Sequence, residues 1–211
     1  MSNITIETKV FILQDLTCTD TDRVSVFKGK ENKTVRQTLS AHRYVHLKKQ
    51  IEESYRDQLD EKIGSFLFGL KTREITNYKL FLNKYGDKKY CDFSIDNSLD
   101  EKGLYCFCVD NQLKYIGRCQ NTYRKRINDG YGHITPQKCY INGQSTNCHI
   151  NSLINEAITR GLNVQIGLCI MKDNFDIIKE EKRLINLKSP EWNNLLKSNV
   201  KSLKKYYYEH C

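Results

Sequence analysis

The stretch Gly103-Leu104-Tyr105-Cys106-Phe107-Cys108-Val109-Asp110-Asn111-Gln112-Leu113-Lys114-Tyr115-Ile116-Gly117 holds two apolar runs on either side of a polar turn. The first run is apolar throughout, as a strand covered on both faces must be. Asp110 to Gln112 is turn chemistry, and Leu113 to Gly117 returns as a second strand, which makes a β-hairpin. Side chains alternate between faces, so loop length decides whether Tyr105 and Tyr115 share one. A three-residue loop, Asp110 to Gln112, sets Val109 against Leu113 and Phe107 against Tyr115, and both tyrosines then point the same way. A two-residue loop separates them.

Downstream, Asn121 or Thr122 can cap a short helix with Tyr123 and Ile127 inward, Arg124, Lys125 and Arg126 riding on it, and Gly130 at its end. A polar segment from Tyr131 to Asn147 follows. Ile150, Leu153, Ile154, Ala157 and Ile158 mark an amphipathic helix closed by Gly161, and Val164, Ile166, Leu168 and Ile170 alternate as a third strand. In the last helix Ile177, Ile178, Leu184 and Ile185 share a stripe, and Glu181 lies inside it, four residues from both Ile177 and Ile185. A carboxylate there is off the solvated face, whereas Glu180 falls beside the stripe, towards solvent.

Upstream, Ile4, Ile6, Val10 and Ile12 alternate as one edge-like strand. Leu47, Ile51, Tyr55, Leu59 and Ile63 recur every four residues, which predicts a helix from the low forties to the mid-sixties with Ser40 as N-cap. A second, shorter helix covers Tyr78, Phe81, Leu82 and Tyr85 and stops at Gly86. The texture changes at Asp96-Asn97-Ser98-Leu99-Asp100-Glu101-Lys102. The chain is therefore divided into an α+β extension over 1–100, serving DNA binding or dimerisation, a core over 101–195, and a basic tail over 196–211 containing Lys204-Lys205-Tyr206-Tyr207-Tyr208.

A length of 211 residues with 39% hydrophobic content supplies a real core and excludes a peptide hormone or a disulfide miniprotein. Nothing approaches the roughly 18 consecutive apolar residues of a membrane span, and the first residues lack the order of a secretion signal. A soluble, cytoplasmic protein without membrane association is the expectation. Nine cysteines without a CxxC pair read as reduced thiols rather than a zinc site. The net charge of +9 is uneven: residues 1–102 carry 18 Lys and Arg against 16 Asp and Glu, and residues 103–211 carry 16 against 9. A basic second half suits a polyanion, because cations that neutralise phosphates release condensed counterions. A solvated surface with a lysine-rich bias accounts for charge alone equally well.

The order of these residues resembles the GIY-YIG nuclease family. Gly103-Leu104-Tyr105, nine residues, then Tyr115-Ile116-Gly117 is similar to that family's paired signature, with Leu in place of the usual middle Ile. The succession continues with Arg126 before an apolar residue, the helix ending in Gly161, the third strand, Glu181-Lys182-Arg183-Leu184-Ile185 and Trp192-Asn193. It covers roughly residues 103–195. The resemblance implies an α/β (α+β) core of one three-stranded antiparallel sheet flanked by helices, and hydrolysis of DNA phosphodiesters with Mg²⁺ or Mn²⁺.

It also implies roles. Tyr105 activates or orients the attacking water, Tyr115 helps hold the phosphate, Arg126 neutralises charge and Glu181 binds the metal, with Gly103, Gly117 and Asn193 as structural support. Arg126 sits eleven residues after Tyr115 where the family more often has ten, the place Lys125 takes here. His149 lies where some relatives have a histidine, and His133 or Tyr131 can hydrogen-bond the first tyrosine. Elementary chemistry agrees with the assignment: in-line hydrolysis needs a positioned water, positive charge at phosphorus and help for the leaving oxygen. Arg118, Arg124 and Lys125 are the expected phosphate contacts. His133, Lys138, Asn142 and Gln144 have the side chains that read base edges. Double-stranded DNA is thus the expected partner, with a homodimer left open, and a sequence-specific restriction-type enzyme the expected form. A structure-selective or repair nuclease and a catalytically silent nucleic-acid-binding module stay open as alternatives.

Overall fold

A computed structural model describes residues 2–95 and 100–194. Two compact units interleave along the chain: the first gathers residues up to 19, 92–132 and from 156 onward, and the second residues 20–91 and 133–155. The basic tail from 196 and most of the polar stretch at 96–102 lie outside the described residues. Among the described residues seven strands form: β1 (Asn3–Ile6), β2 (Lys9–Asp15), β3 (Thr17–Arg23), β4 (Tyr90–Ser94), β5 (Gly103–Val109), β6 (Gln112–Cys119) and β7 (Val164–Ile170). The first unit is built on an antiparallel sheet in the order β1-β2-β7-β5-β6, while β3 and β4 pair separately.

The fold is mixed α+β, and its main sheet has five strands, not the three expected. The run read as one strand from Ile4 to Ile12 is a hairpin, turning at Glu7 with φ +58°, with Ile6 opposite Lys9. Its second arm lies along β7, Ile12 opposite Leu168. Apolar alternation runs on through a Glu-Thr turn that carries no glycine, proline or asparagine, so periodicity alone cannot show the reversal. Residues read as part of a separate extension thus complete the sheet.

β5 lies between β6 and β7 and is buried along its length. One of its faces puts Leu104, Cys106 and Cys108 against Ile177 and Leu184 of the helix Asn174–Lys188. The other carries Tyr105 and Phe107. Asp110 and Asn111, both at positive φ, form a two-residue turn that sets Val109 opposite Gln112. That turn alone would have put the tyrosines on opposite faces. The register then shifts at a bulge: Cys108 faces Leu113, Phe107 faces Tyr115, and the extra residue is Lys114. The tyrosines share a face through the bulge, not through a three-residue loop.

The second unit is helical around a core that includes Phe27, Leu39, Leu67, Phe81 and Tyr140. The long helix expected there is broken into the turn His42–Leu47, the helix Lys48–Ser54, the turn Arg56–Gln58 and the helix Ile63–Thr72. Tyr55 leaves helical geometry at φ −137° and Lys62 is extended, and Ser40 ends the preceding helix Val35–Leu39 instead of starting one. Leu47, Ile51, Leu59 and Ile63 are nonetheless all buried. The shorter helix expected around Tyr78 is the turn Thr76–Phe81. All eight described cysteines are free thiols, and no described helix is long and apolar enough to cross a membrane.

Candidate active site

The two glycines of the hairpin are required by what lies over them. At Gly103, φ is +149° and an added Cβ would stand 2.4 Å from the Tyr123 hydroxyl. At Gly117 it would stand 2.4 Å from the hydroxyl of Tyr105, whose ring packs over the opposite strand at that point. Tyr123 itself ties β5 to β7, its hydroxyl reaching the carbonyls of Leu104 at 3.0 Å and Cys169 at 2.8 Å.

Arg126 follows from the next element. The chain enters a helix with the Thr122 hydroxyl accepting from the Lys125 amide, and from Lys125 to Gly132 the winding widens to a π-helix. It ends at Gly132, not at Gly130, packed against the Phe93 carbonyl. Bonding from i to i+5 brings residues five apart onto one side, so the Arg126 guanidinium lies 4.5 Å from the centre of the Tyr131 ring. Arg126 Nη2 donates to the Tyr131 hydroxyl at 2.6 Å and Nε to the Tyr105 hydroxyl at 3.1 Å. The Tyr131 hydroxyl in turn meets that of Tyr105 at 2.8 Å and that of Tyr115 at 3.3 Å. Three phenols and one guanidinium therefore form one hydrogen-bonded cluster in which Tyr131 is the hub.

Burial pushes the Tyr105, Tyr115 and Tyr131 phenols above their ordinary range, outweighing the nearby Arg126 charge. All three are therefore neutral hydroxyls as they stand. Arg126 keeps its proton: burial opposes its charge, and the surrounding phenol oxygens, Tyr105 first, more than offset that.

Glu181 reaches the same neighbourhood around the free edge of β6. Leu104 faces Arg118 and Tyr105 faces Gly117, so Arg118 stands on the opposite side of the strand from the tyrosines. Glu181 pairs with the Arg118 guanidinium, which sets the carboxylate beside the strand, and the Arg118 backbone also favours its charge. The Glu181 charge acts on both Tyr115 and Arg126. Burial raises the Glu181 carboxyl above the usual range, against the pull of Arg118. Glu180, expected towards solvent, is covered nearly as well, with 16% of its side chain exposed against 13% for Glu181. Its cover is the bidentate Arg183 of its own helix, which lowers its pKa.

Among the described residues no group of three or more His, Cys, Asp or Glu is arranged to hold a metal. The donor set at the edge of β6, one carboxylate beside an arginine, fits a hard dication completed by ligand oxygens and water, and does not fit zinc. Asn193, whose helical turn follows Pro190, is buried against β6, and its neighbour Trp192 packs 6.5 Å from Phe107.

Arg124 is exposed and pairs with Asp100 at 3.3 Å, and Lys125 is exposed. His149, His133, Lys138, Asn142 and Gln144 belong to the second unit. His149 is buried, its ring stacked with centroids 4.1 Å from that of Tyr85. Lys138 is buried with Nζ on the His133 carbonyl at 2.6 Å and does not present its ammonium to base edges. His133, Asn142 and Gln144 are exposed. Tyr131 was one of two candidates to bond the first tyrosine, and its role as hub is invisible in the sequence because it depends on the π-helical winding.

No family model and no curated protein matches the chain. Among solved structures, a point mutant of bacteriophage T4 EndoII matches at 20% identity and a TM-score of 0.37, over 57% of this chain and 96% of that one.

Proposed function

We propose that the protein is a GIY-YIG-type endodeoxyribonuclease that hydrolyses DNA phosphodiesters with Mg²⁺ or Mn²⁺, in the form of a sequence-specific, restriction-type enzyme. The observation that carries this reading is the arrangement of Tyr105, Tyr115 and Tyr131 around Arg126, with Glu181 at the adjacent strand edge. A cross-strand tyrosine pair needs only packing, whereas a part-buried guanidinium set among three phenol hydroxyls offers the planar fork that suits a phosphate.

In this reading Arg126 takes a non-bridging phosphate oxygen and neutralises charge that grows at phosphorus. The Tyr105 hydroxyl holds the attacking water in line, and the Tyr131 and Tyr115 hydroxyls relay its proton out to bulk solvent, so that no free phenolate is needed beforehand. The water oxygen bonds to phosphorus while the bond to the 3′ oxygen breaks, and solvent reprotonates that oxygen. Glu181 would hold the divalent cation, which when bound supplies Lewis-acid stabilisation of phosphate charge. Arg118, freed from Glu181, and the exposed Arg124 and Lys125 are the phosphate contacts beside the site. His133, Asn142 and Gln144 are the base-reading candidates. A dimer would allow both strands to be cut.

Supercoiled plasmid and phage DNA incubated with purified protein, in Mg²⁺ or in EDTA, test the reading. Metal-dependent linear fragments with defined ends are expected. Intact DNA at stoichiometric protein would overturn it in favour of a silent binding module.

A further inference from the structure

Within the second unit, three parts of the chain border one cleft of about 340 Å³. Lys30 comes from the end of the turn Val26–Gly29, Arg43 from the turn His42–Leu47, and Lys138 from the short helix Pro136–Cys139, next to the bend at Asn142. Among the described residues no Asp or Glu lines the cleft. Lys30 is only 7% exposed, and its ammonium rests 4.0 Å from the centre of the Tyr140 ring with no carboxylate paired to it. A ring face returns only part of what a desolvated ammonium loses. Burial, then Arg43, then Lys33 all favour loss of the Lys30 proton, so Lys30 and Arg43 repel one another across the cleft they share. An anion in the cleft would relieve that repulsion.

We propose that this cleft is a phosphate-binding site, separate from the cluster around Arg126, and that it takes a backbone phosphate of duplex DNA. Phosphate fits the donors better than a carboxylate, because Arg43 brings a planar fork, Lys30 a point charge, and Gln144 and Asn142 amides at an exposed rim. DNA as the source of the phosphate rests on the nuclease reading above; the anion chemistry of the cleft does not.

The test uses the full chain in EDTA with a fluorescent duplex of about 20 base pairs, titrated at several salt concentrations. Lys30→Met, Arg43→Gln and the double variant are compared with wild type, and inorganic phosphate is added separately in thermal melts. Each single change should weaken duplex binding about three- to tenfold and lower the salt slope by about one. Phosphate should raise the melting temperature of wild type but not of the double variant. Lys30→Met should melt no lower than wild type, since it removes an unpaired buried cation. Arg43 is exposed, so Arg43→Gln keeps the test open if the Lys30 variant fails to fold. Unchanged duplex affinity and salt slope in the double variant overturn the proposal. Loss of the phosphate effect with duplex binding intact overturns it too, leaving a small-anion site. Cleavage under Mg²⁺ separates the two readings: a wild type that binds through the cleft and never cuts sinks the nuclease and keeps the cleft, and a double variant that binds normally while wild type cuts does the reverse.

Discussion

Asn193 closes the edge of β6 with one side chain, its amide donating to the Ile116 carbonyl at 2.9 Å and its carbonyl accepting from the Ile116 amide at 2.8 Å. These are the two bonds a sixth strand would have made. They fix the strand directly beside Tyr115 and two residues before Arg118, where Glu181 reaches the same edge. Structural support, the role expected for Asn193, therefore has a concrete meaning: it holds the strand that carries both halves of the candidate site.

Removing that clamp should cost more than its packing. Asn193→Ala leaves a buried N–H and C=O of Ile116 without partners, which is expected to lower stability by about 2–4 kcal/mol. Asn193→Asp keeps the acceptor but sets a buried carboxylate oxygen against the Ile116 carbonyl, so at neutral pH its loss should be at least as large. Urea denaturation of the three proteins checks the order, and equal stabilities would show that the clamp contributes nothing.

Tyr131→Phe keeps the ring against Arg126 and deletes the hydroxyl that joins Tyr105, Tyr115 and Arg126. Cleavage should fall about a hundredfold if the relay operates, with stability lower by about 1–2 kcal/mol because a guanidinium donor is left unsatisfied. Duplex affinity in EDTA should move less than about threefold, since Arg126 remains. Unaltered cleavage would remove Tyr131 from the mechanism.

His149 gives the pH prediction. Burial first, then the charges of Lys84 and Lys88, lower its pKa from 6.5 to about 4, and its Nε2 has no hydrogen-bond partner. Between those values the unfolded chain binds a proton that the folded chain refuses. Stability from this residue is therefore complete above pH 6.5 and is lost as pH falls towards 4, by at most about 3 kcal/mol. His149→Phe retains a ring on Tyr85 and should flatten the fall in stability over that window, as read from urea midpoints against pH. An identical slope in both proteins would mean that His149 is not the group responsible.

The hairpin, the helix around Ile150–Ile158, β7 and the stripe around Glu181 were legible because periods of two and 3.6 are strong over those lengths. The shared face of Tyr105 and Tyr115 was expected through a three-residue loop, and the chain reaches it through a tighter turn and a bulge at Lys114, which no residue type announces. Leu47, Ile51, Leu59 and Ile63 identified core positions correctly, yet spacing of four could not show that the backbone breaks at Tyr55 and Lys62 between them. Tyr131 required the i→i+5 winding, and the burial of Lys138 and His149 depends on contacts far along the chain.

Glu181 and Glu180 are adjacent and nearly equally covered, so exposure cannot choose between them; their partners can. Glu180 is held by Arg183, three residues away on its own helix, and Glu180→Gln should cost about 0.3–0.5 kcal/mol and leave cleavage intact. Glu181 is held at the edge of β6 by Arg118. Glu181→Gln should abolish Mg²⁺-dependent cleavage without unfolding the protein, because burial already disfavours its charge and the amide is isosteric. Metal-free duplex affinity should stay equal or rise, one negative charge near the phosphates having gone and Arg118 having been released. The raised carboxyl also sets a sign with pH: Glu181 takes up its proton before ordinary carboxylates do as pH falls, and protonation favours the folded state. In the metal-free protein this group should thus cost no stability on the acid side. Plasmid cleavage and gel shift of both variants at one salt concentration, with a pH profile for wild type, decide the matter. Full activity in the Glu181 variant, or loss only in the Glu180 variant, would move the metal ligand to the other carboxylate.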